Sequence, residues 1–224
     1  MPLHLSSDER RVLGVLIEKS FCTPEQYPLT LNSLVLGSNQ KSCRNPLSHL
    51  DEGQVLDAMD GLREKRLASL VRSTGGRTDR YRHLARDALE IDGKEAAVLG
   101  ELLLRGPQTD GELRQRANRM VAIDGFPQLE EILERLLGRE EPFVRRLSAD
   151  GQRRGVKYAH TFYRPGKEPA LEEARPAERD PAASTAPVAV RGASSGVEEL
   201  RRTVEELEQR VSELEDTMRR LLQE

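Results

Sequence analysis

Residues 51–84 read DEGQVLDAMDGLREKRLASLVRSTGGRTDRYRHL. Asp51 is a helix N-cap residue, and Val55, Met59 and Leu62 behind it recur at helical spacing, so the stretch opens as an amphipathic helix with one apolar face. ASLVRS then reads as a strand, TGGRTD as a Gly-Gly turn and RYRHL as the returning strand. A helix delivered straight into a β-hairpin is the element that decides the fold.

Upstream, Ser6 with Glu9 forms a capping box ahead of the helical pattern RRVLGVLIEKS, and Pro28 precedes a short helical stretch, LTLNSLVLGS. Downstream the same order recurs. Asp92 caps KEAAVLGELLLRG, Gly106-Pro107 breaks the chain, and Thr109 with Glu112 forms a second capping box before LRQRANRM. QLEEILERLLGRE is the next helix, and FVRRL and VKYAHTFYR are strands around DGQRRG. Tyr81-Arg82-His83 and Tyr158-Ala159-His160 hold the same place in their copies. Three helices and a hairpin, twice over, predict a mainly α chain with small β-hairpins (α+β). The expected architecture is two tandem winged helix-turn-helix domains, residues 1–88 and 89–164, each of a size that suits a small independent core.

The run LIEKSFCTPEQYPLTLNSLVLGSNQKSCRNPL, from Leu16 to Leu47, resembles the signature of the YceH-like family of uncharacterised bacterial proteins. LREKRLASLVRSTGGRTDRYRH, LLLRGPQTDGELRQRANRM and PFVRRL with KYAH are similar to the same family, in order, across residues 6–163. The resemblance implies two tandem winged-helix domains and no assigned activity. The sequence departs from the family pattern at Ser38, where the family tends to carry Cys, and at Cys43, where it tends to carry Asn.

The remaining 60 or so residues differ in kind. Residues 165–196 hold five of the twelve prolines and eight alanines but no aromatic residue. They cannot bury enough apolar surface to offset chain entropy and read as a disordered linker. Residues 197–224 place Val197, Leu200, Val204, Leu207, Val211, Leu214, Met218 and Leu221 at alternating spacings of three and four. Valine or methionine at a and leucine at every d predicts a parallel two-stranded coiled coil, hence a homodimer, with Arg210 facing Glu215 of the second copy.

Composition bounds the function. The chain of 224 residues has net charge −3, 37% hydrophobic residues and no Trp. There is no apolar run long enough to span a bilayer and no basic-then-apolar leader at the N-terminus. Cys22 and Cys43 are the only thiols, which excludes a four-cysteine zinc site and fits a reducing cytoplasm. His83 and His160 lack neighbours at ligand spacing, so no metal and no cofactor is expected. Cys22 is expected to be buried and inert. No nucleophile–base motif, paired-carboxylate motif or phosphate-binding loop is present, so no enzymatic activity is expected.

Charge is unevenly placed. Residues 51–66 and 128–141 are net acidic, which sets the third helix of each copy against a phosphate backbone. The hairpins are cationic. Arg77, Arg80 and Arg82 in the first, and Arg153, Arg154 and Lys157 in the second, are the expected contacts to duplex DNA, with Lys41 and Arg44 of the polar loop 38–46. The expected function is non-enzymatic DNA binding through basic wings, regulatory or architectural. The alternative is a protein-interaction adaptor that docks a partner through the acidic third helices.

Overall fold

The computed structural model describes residues 2–72, 79–148 and 155–167. Arg77, Arg153, Arg154, most of the linker and the whole coiled-coil segment, Val197, Leu200, Val204, Leu207, Val211, Leu214, Met218 and Leu221 included, lie outside the described residues. The chain is a mixed α/β protein, and about half of the described residues are α-helical.

The first series is α1 (Ser7–Cys22), a 3-10 turn at Pro24–Gln26, β1 (Leu29–Thr30), α2 (Leu31–Ser38), α3 (Glu52–Glu64), β2 (Ala68–Val71) and β3 (Arg80–His83). A one-turn helix, α4 (Ala85–Ala88), leads to the second series: α5 (Gly93–Arg105), β4 (Gln108–Thr109), α6 (Asp110–Ala117), α7 (Gly125–Leu137), β5 (Val144–Arg146) and β6 (Lys157–His160). The helix starts follow local chemistry. Ser6 Oγ accepts from Glu9 N at 3.1 Å while the Glu9 carboxylate accepts from Ser6 N at 2.6 Å. Asp51 with Gln54, Asp92 with Glu95 and Thr109 with Glu112 close the same reciprocal box. Gly106 ends α5 with φ of 71°, a conformation open to glycine at little cost.

Each hairpin gains a third strand that the sequence pattern does not reveal. The sheets are antiparallel in the order β1-β3-β2 and β4-β6-β5, so the returning strand is central in both. Thr30 pairs with Arg80 and Thr109 with Lys157, which makes Arg80 and Lys157 equivalent positions, each opposite the threonine that caps the following helix.

The two series meet in their hydrophobic packing. One hydrophobic cluster contains Leu13, Leu16, Ile17, Met59 and Leu62 of the first series together with Leu99, Leu102, Leu104, Ile132 and Leu136 of the second. Helices α1 and α5 pack more extensively on each other than on any other element. The physical reason is their composition: Val12–Ile17 and Ala96–Leu104 are buried around most of the helix circumference rather than along one stripe, so neither can be covered by its own repeat alone. Residue 88 lies at the junction of the two repeats of element order.

Candidate nucleic-acid interface

The hairpin of the first repeat is built by strand alternation. Along β3, Tyr81 is buried against the core while Arg80 and Arg82 are exposed, two residues apart and therefore on one face. Arg82 Nε donates to Ser69 Oγ of the paired residue on β2 at 3.0 Å, and Arg80 Nη1 donates to the Pro28 carbonyl at 2.9 Å. Both contacts orient the guanidinium without neutralising it. Among the described residues neither arginine is paired with a carboxylate, and neither reaches the acidic helix α3. Arg72 meets Asp79 across the hairpin at 3.7 Å, both well exposed. Surface pairs of that kind contribute at most about 1 kcal/mol.

The inner side of this hairpin is fixed by His83. Its backbone N–H donates to Tyr27 Oη at 2.6 Å and its Nε2 lies 3.2 Å from Ser20 Oγ. Burial, with Arg86 close by, pushes the imidazole down to about 4. In the second repeat His160 is 1% exposed and stacks on Tyr163, and burial pushes it down to about 3. Both histidines anchor strands. Among the described residues no group of three or more His, Cys, Asp or Glu side chains could hold a metal ion.

Lys157 is half-buried on β6, and Lys41 is exposed on the loop after α2. Arg44 is not a surface cation. Its side chain is fully buried, donating to the Gly37 carbonyl at 2.9 Å, to Gln40 Oε1 at 2.9 Å and to the Glu18 carboxylate. A buried guanidinium held by that many acceptors cannot reach a phosphate, so Arg44 leaves the candidate interface and Lys41 stands without it. Cys22, expected to be buried, is exposed at the end of α1, and partial desolvation pushes its thiol up.

Arg44 belongs to a junction that the sequence reading missed. Glu18 of α1 receives Arg44 and Arg119; Arg119 donates at 2.9 Å to Glu101 of α5, which Arg105 also meets at 2.8 Å. Burial alone would raise the Glu18 carboxyl, but the hydrogen bonds and charges of Arg44 and Arg119 outweigh it and hold it below its ordinary value. The available signal was a glutamate inside an otherwise apolar helical run, VLIEKS and LGELLL, where a charge must find a partner.

The third helices keep their acidic faces outward. Glu52, Asp57, Asp60 and Glu64 on α3, and Glu130, Glu131 and Glu134 on α7, are exposed. Arg135 bonds Asp92 at 2.9 Å and Glu95 at 3.1 Å, drawing the single cation of α7 into the body.

By fold the chain is a mixed α/β protein made of two copies of one helix–strand–helix–helix–hairpin series around a shared core. Its residues 5–153 match the family described as "Protein of unknown function, DUF480". It is 49% identical over 162 residues to a "UPF0502 protein" of Geotalea daltonii, covering 72% of this chain and 74% of that one. It is 50% identical over 160 residues to another from Pelobacter propionicus, covering 71% and 73%. A third, from Shewanella baltica, is 40% identical over 178 residues, covering 78% and 79%. The chain belongs to this DUF480/UPF0502 family. None of its described helices is long and apolar enough to cross a membrane.

Proposed function

We propose that each repeat is a winged-helix module and that the protein binds duplex DNA through its hairpins rather than through its third helices, as a non-enzymatic cytoplasmic regulator or architectural factor. The observation that carries this reading is the outer face of β3, where Arg80 and Arg82 stand exposed, held in place by neutral acceptors and paired with no carboxylate among the described residues. Cations oriented in this way suit phosphates or a narrow minor groove. Helix α3 does not, because its exposed carboxylates repel the backbone. The heptads of residues 197–224 support a parallel dimer, which would place several wings on one duplex and raise the effective concentration of each further contact. An electrophoretic shift with random-sequence duplex tests the reading: retardation by the full chain supports it, and free duplex at every protein concentration opposes it.

A second reading is favoured by a different observation. The exposed Glu131 and Glu134 border a broad surface depression with Glu90; Arg135 and Arg139 also line it but are engaged with Asp92 and Glu95, and the remaining carboxylates suit a basic protein partner. Pull-down of a protein partner at the salt where duplex is not retarded would favour this adaptor role.

A further inference from the structure

The start of α1, the loop 45–48, the end of α5, and the end of β6 with the segment after it line a partly open cavity of about 290 Å³. Two of these walls come from each repeat. The volume lies near the lower end of ligand pockets, about 300 Å³, so any occupant is small.

Ser7, Ser48 and Arg11 on its walls are already hydrogen-bonded, to Asp8 and to the Ser38, Leu104 and Pro46 carbonyls, whereas, among the described residues, donors on His160 and Tyr163 are not. The Phe162 N–H donates to Nδ1 of His160 at 3.2 Å, which makes Nδ1 the acceptor and puts the hydrogen of the neutral ring on Nε2. Among the described residues that Nε2–H meets no acceptor, although His160 is only 1% exposed. The ring stacks on Tyr163 with centroids 4.0 Å apart. The Tyr163 hydroxyl also has no hydrogen-bond partner among the described residues. The Arg10 guanidinium lies 4.7 Å from the centre of the Tyr163 ring. It gives one hydrogen bond to the Leu5 carbonyl at 2.8 Å and forms no ion pair among the described residues. Arg11, by contrast, is committed to the Leu104 and Pro46 carbonyls.

We propose that this cavity binds a small organic monocarboxylate. Its carboxylate takes Arg10, the His160 Nε2–H and the Tyr163 hydroxyl, and its apolar part lies against Leu47 and Leu103. A charged acceptor gives such donors the stronger kind of hydrogen bond. Asp8 on the same wall offsets one of the two arginine charges, so the site suits a single negative charge and disfavours a dianion. The proposal stands apart from DNA binding and survives or fails without it.

Isothermal titration of the full chain with benzoate tests it, with benzamide and inorganic phosphate as comparators. Benzoate is expected to bind at one site per chain, with both comparators weaker by about tenfold or more. Tyr163→Phe, which removes a hydroxyl that bonds nothing among the described residues, should weaken benzoate by about tenfold and leave the melting temperature of the free protein unchanged. Arg10→Gln should abolish binding and Arg10→Lys should retain part of it. Absence of benzoate binding up to about 10 mM, a Kd weaker than about −3 kcal/mol of binding free energy, overturns the proposal. Phosphate binding as tight as benzoate, or wild-type affinity in Tyr163→Phe, also overturns it.

Discussion

Gly14 on α1 and Gly100 on α5 occupy reciprocal positions in one helix crossing. A Cβ on Gly14 would lie 2.8 Å from Leu104 Cγ, and a Cβ on Gly100 would lie 2.7 Å from Ile17 Cγ2. Each repeat thus supplies the gap that the other repeat fills, and the close approach lets α1 and α5 share one core.

Alanine at either position should destabilise the protein. Its better helix propensity returns about 1 kcal/mol, while the clash with a packed neighbour costs about 1–3 kcal/mol. Gly100→Ala should lower the urea midpoint, and adding Ile17→Leu, which removes the opposing methyl, should recover part of the loss. A midpoint raised by Gly100→Ala would contradict the crossing.

The ion cluster makes a second test of the junction between repeats. Glu18→Ala leaves the buried Arg44 without its carboxylate and removes one of the two partners of Arg119. Breaking a buried pair from one side costs about 3–5 kcal/mol. Urea unfolding followed by circular dichroism should show a loss of that order for Glu18→Ala. Asp60→Ala, which breaks only the exposed pair with Arg63, should change stability by less than about 1 kcal/mol.

How much of this was legible in the sequence depends on the reach of the signal. The helix starts at Ser6, Asp51, Asp92 and Thr109 were readable because a cap and its reciprocal residue lie three positions apart. The alternation that turns Arg80 and Arg82 outward was equally local. Strands β1 and β4 were not readable, since two residues carry no alternation and gain their role only by pairing with β3 and β6. Arg44 looked like a surface cation in a polar loop because its partner Glu18 lies 26 positions away. The shared core left a trace, the nearly all-apolar run Val12–Ile17, which a search for one-sided helices passes over.

Stability should fall in mild acid. His83 and His160 are held at about 4 and about 3, below the ordinary histidine value of about 6.5. The unfolded chain therefore takes up protons first, so their contribution is complete above about pH 6.5 and is lost progressively as the pH falls towards about 4. The expected loss is on the order of 1–3 kcal/mol for His83 alone. Melting temperatures measured from about pH 7.5 to 5 should decline, less steeply in His83→Asn; a flat profile would contradict the neutral buried imidazoles.

The proposed dimer rests on the heptads of residues 197–224. Light scattering behind a sizing column should give twice the chain mass for the wild type and the single-chain mass for Leu207→Asp/Leu214→Asp. A wild type that elutes as a single chain at micromolar concentration would refute self-association through this segment.

The central claim is that cations on the hairpin faces contact DNA phosphates. Its most direct test is the affinity for a fluorescein-labelled duplex measured across a salt series, for the wild type and for Arg80→Ala/Arg82→Ala. Each lost phosphate contact should reduce the slope of log affinity against log salt by about 0.9, so the double variant should bind more weakly with a slope shallower by about 2. Wild-type affinity that is flat in salt, or a variant with unchanged slope and affinity, would contradict the account.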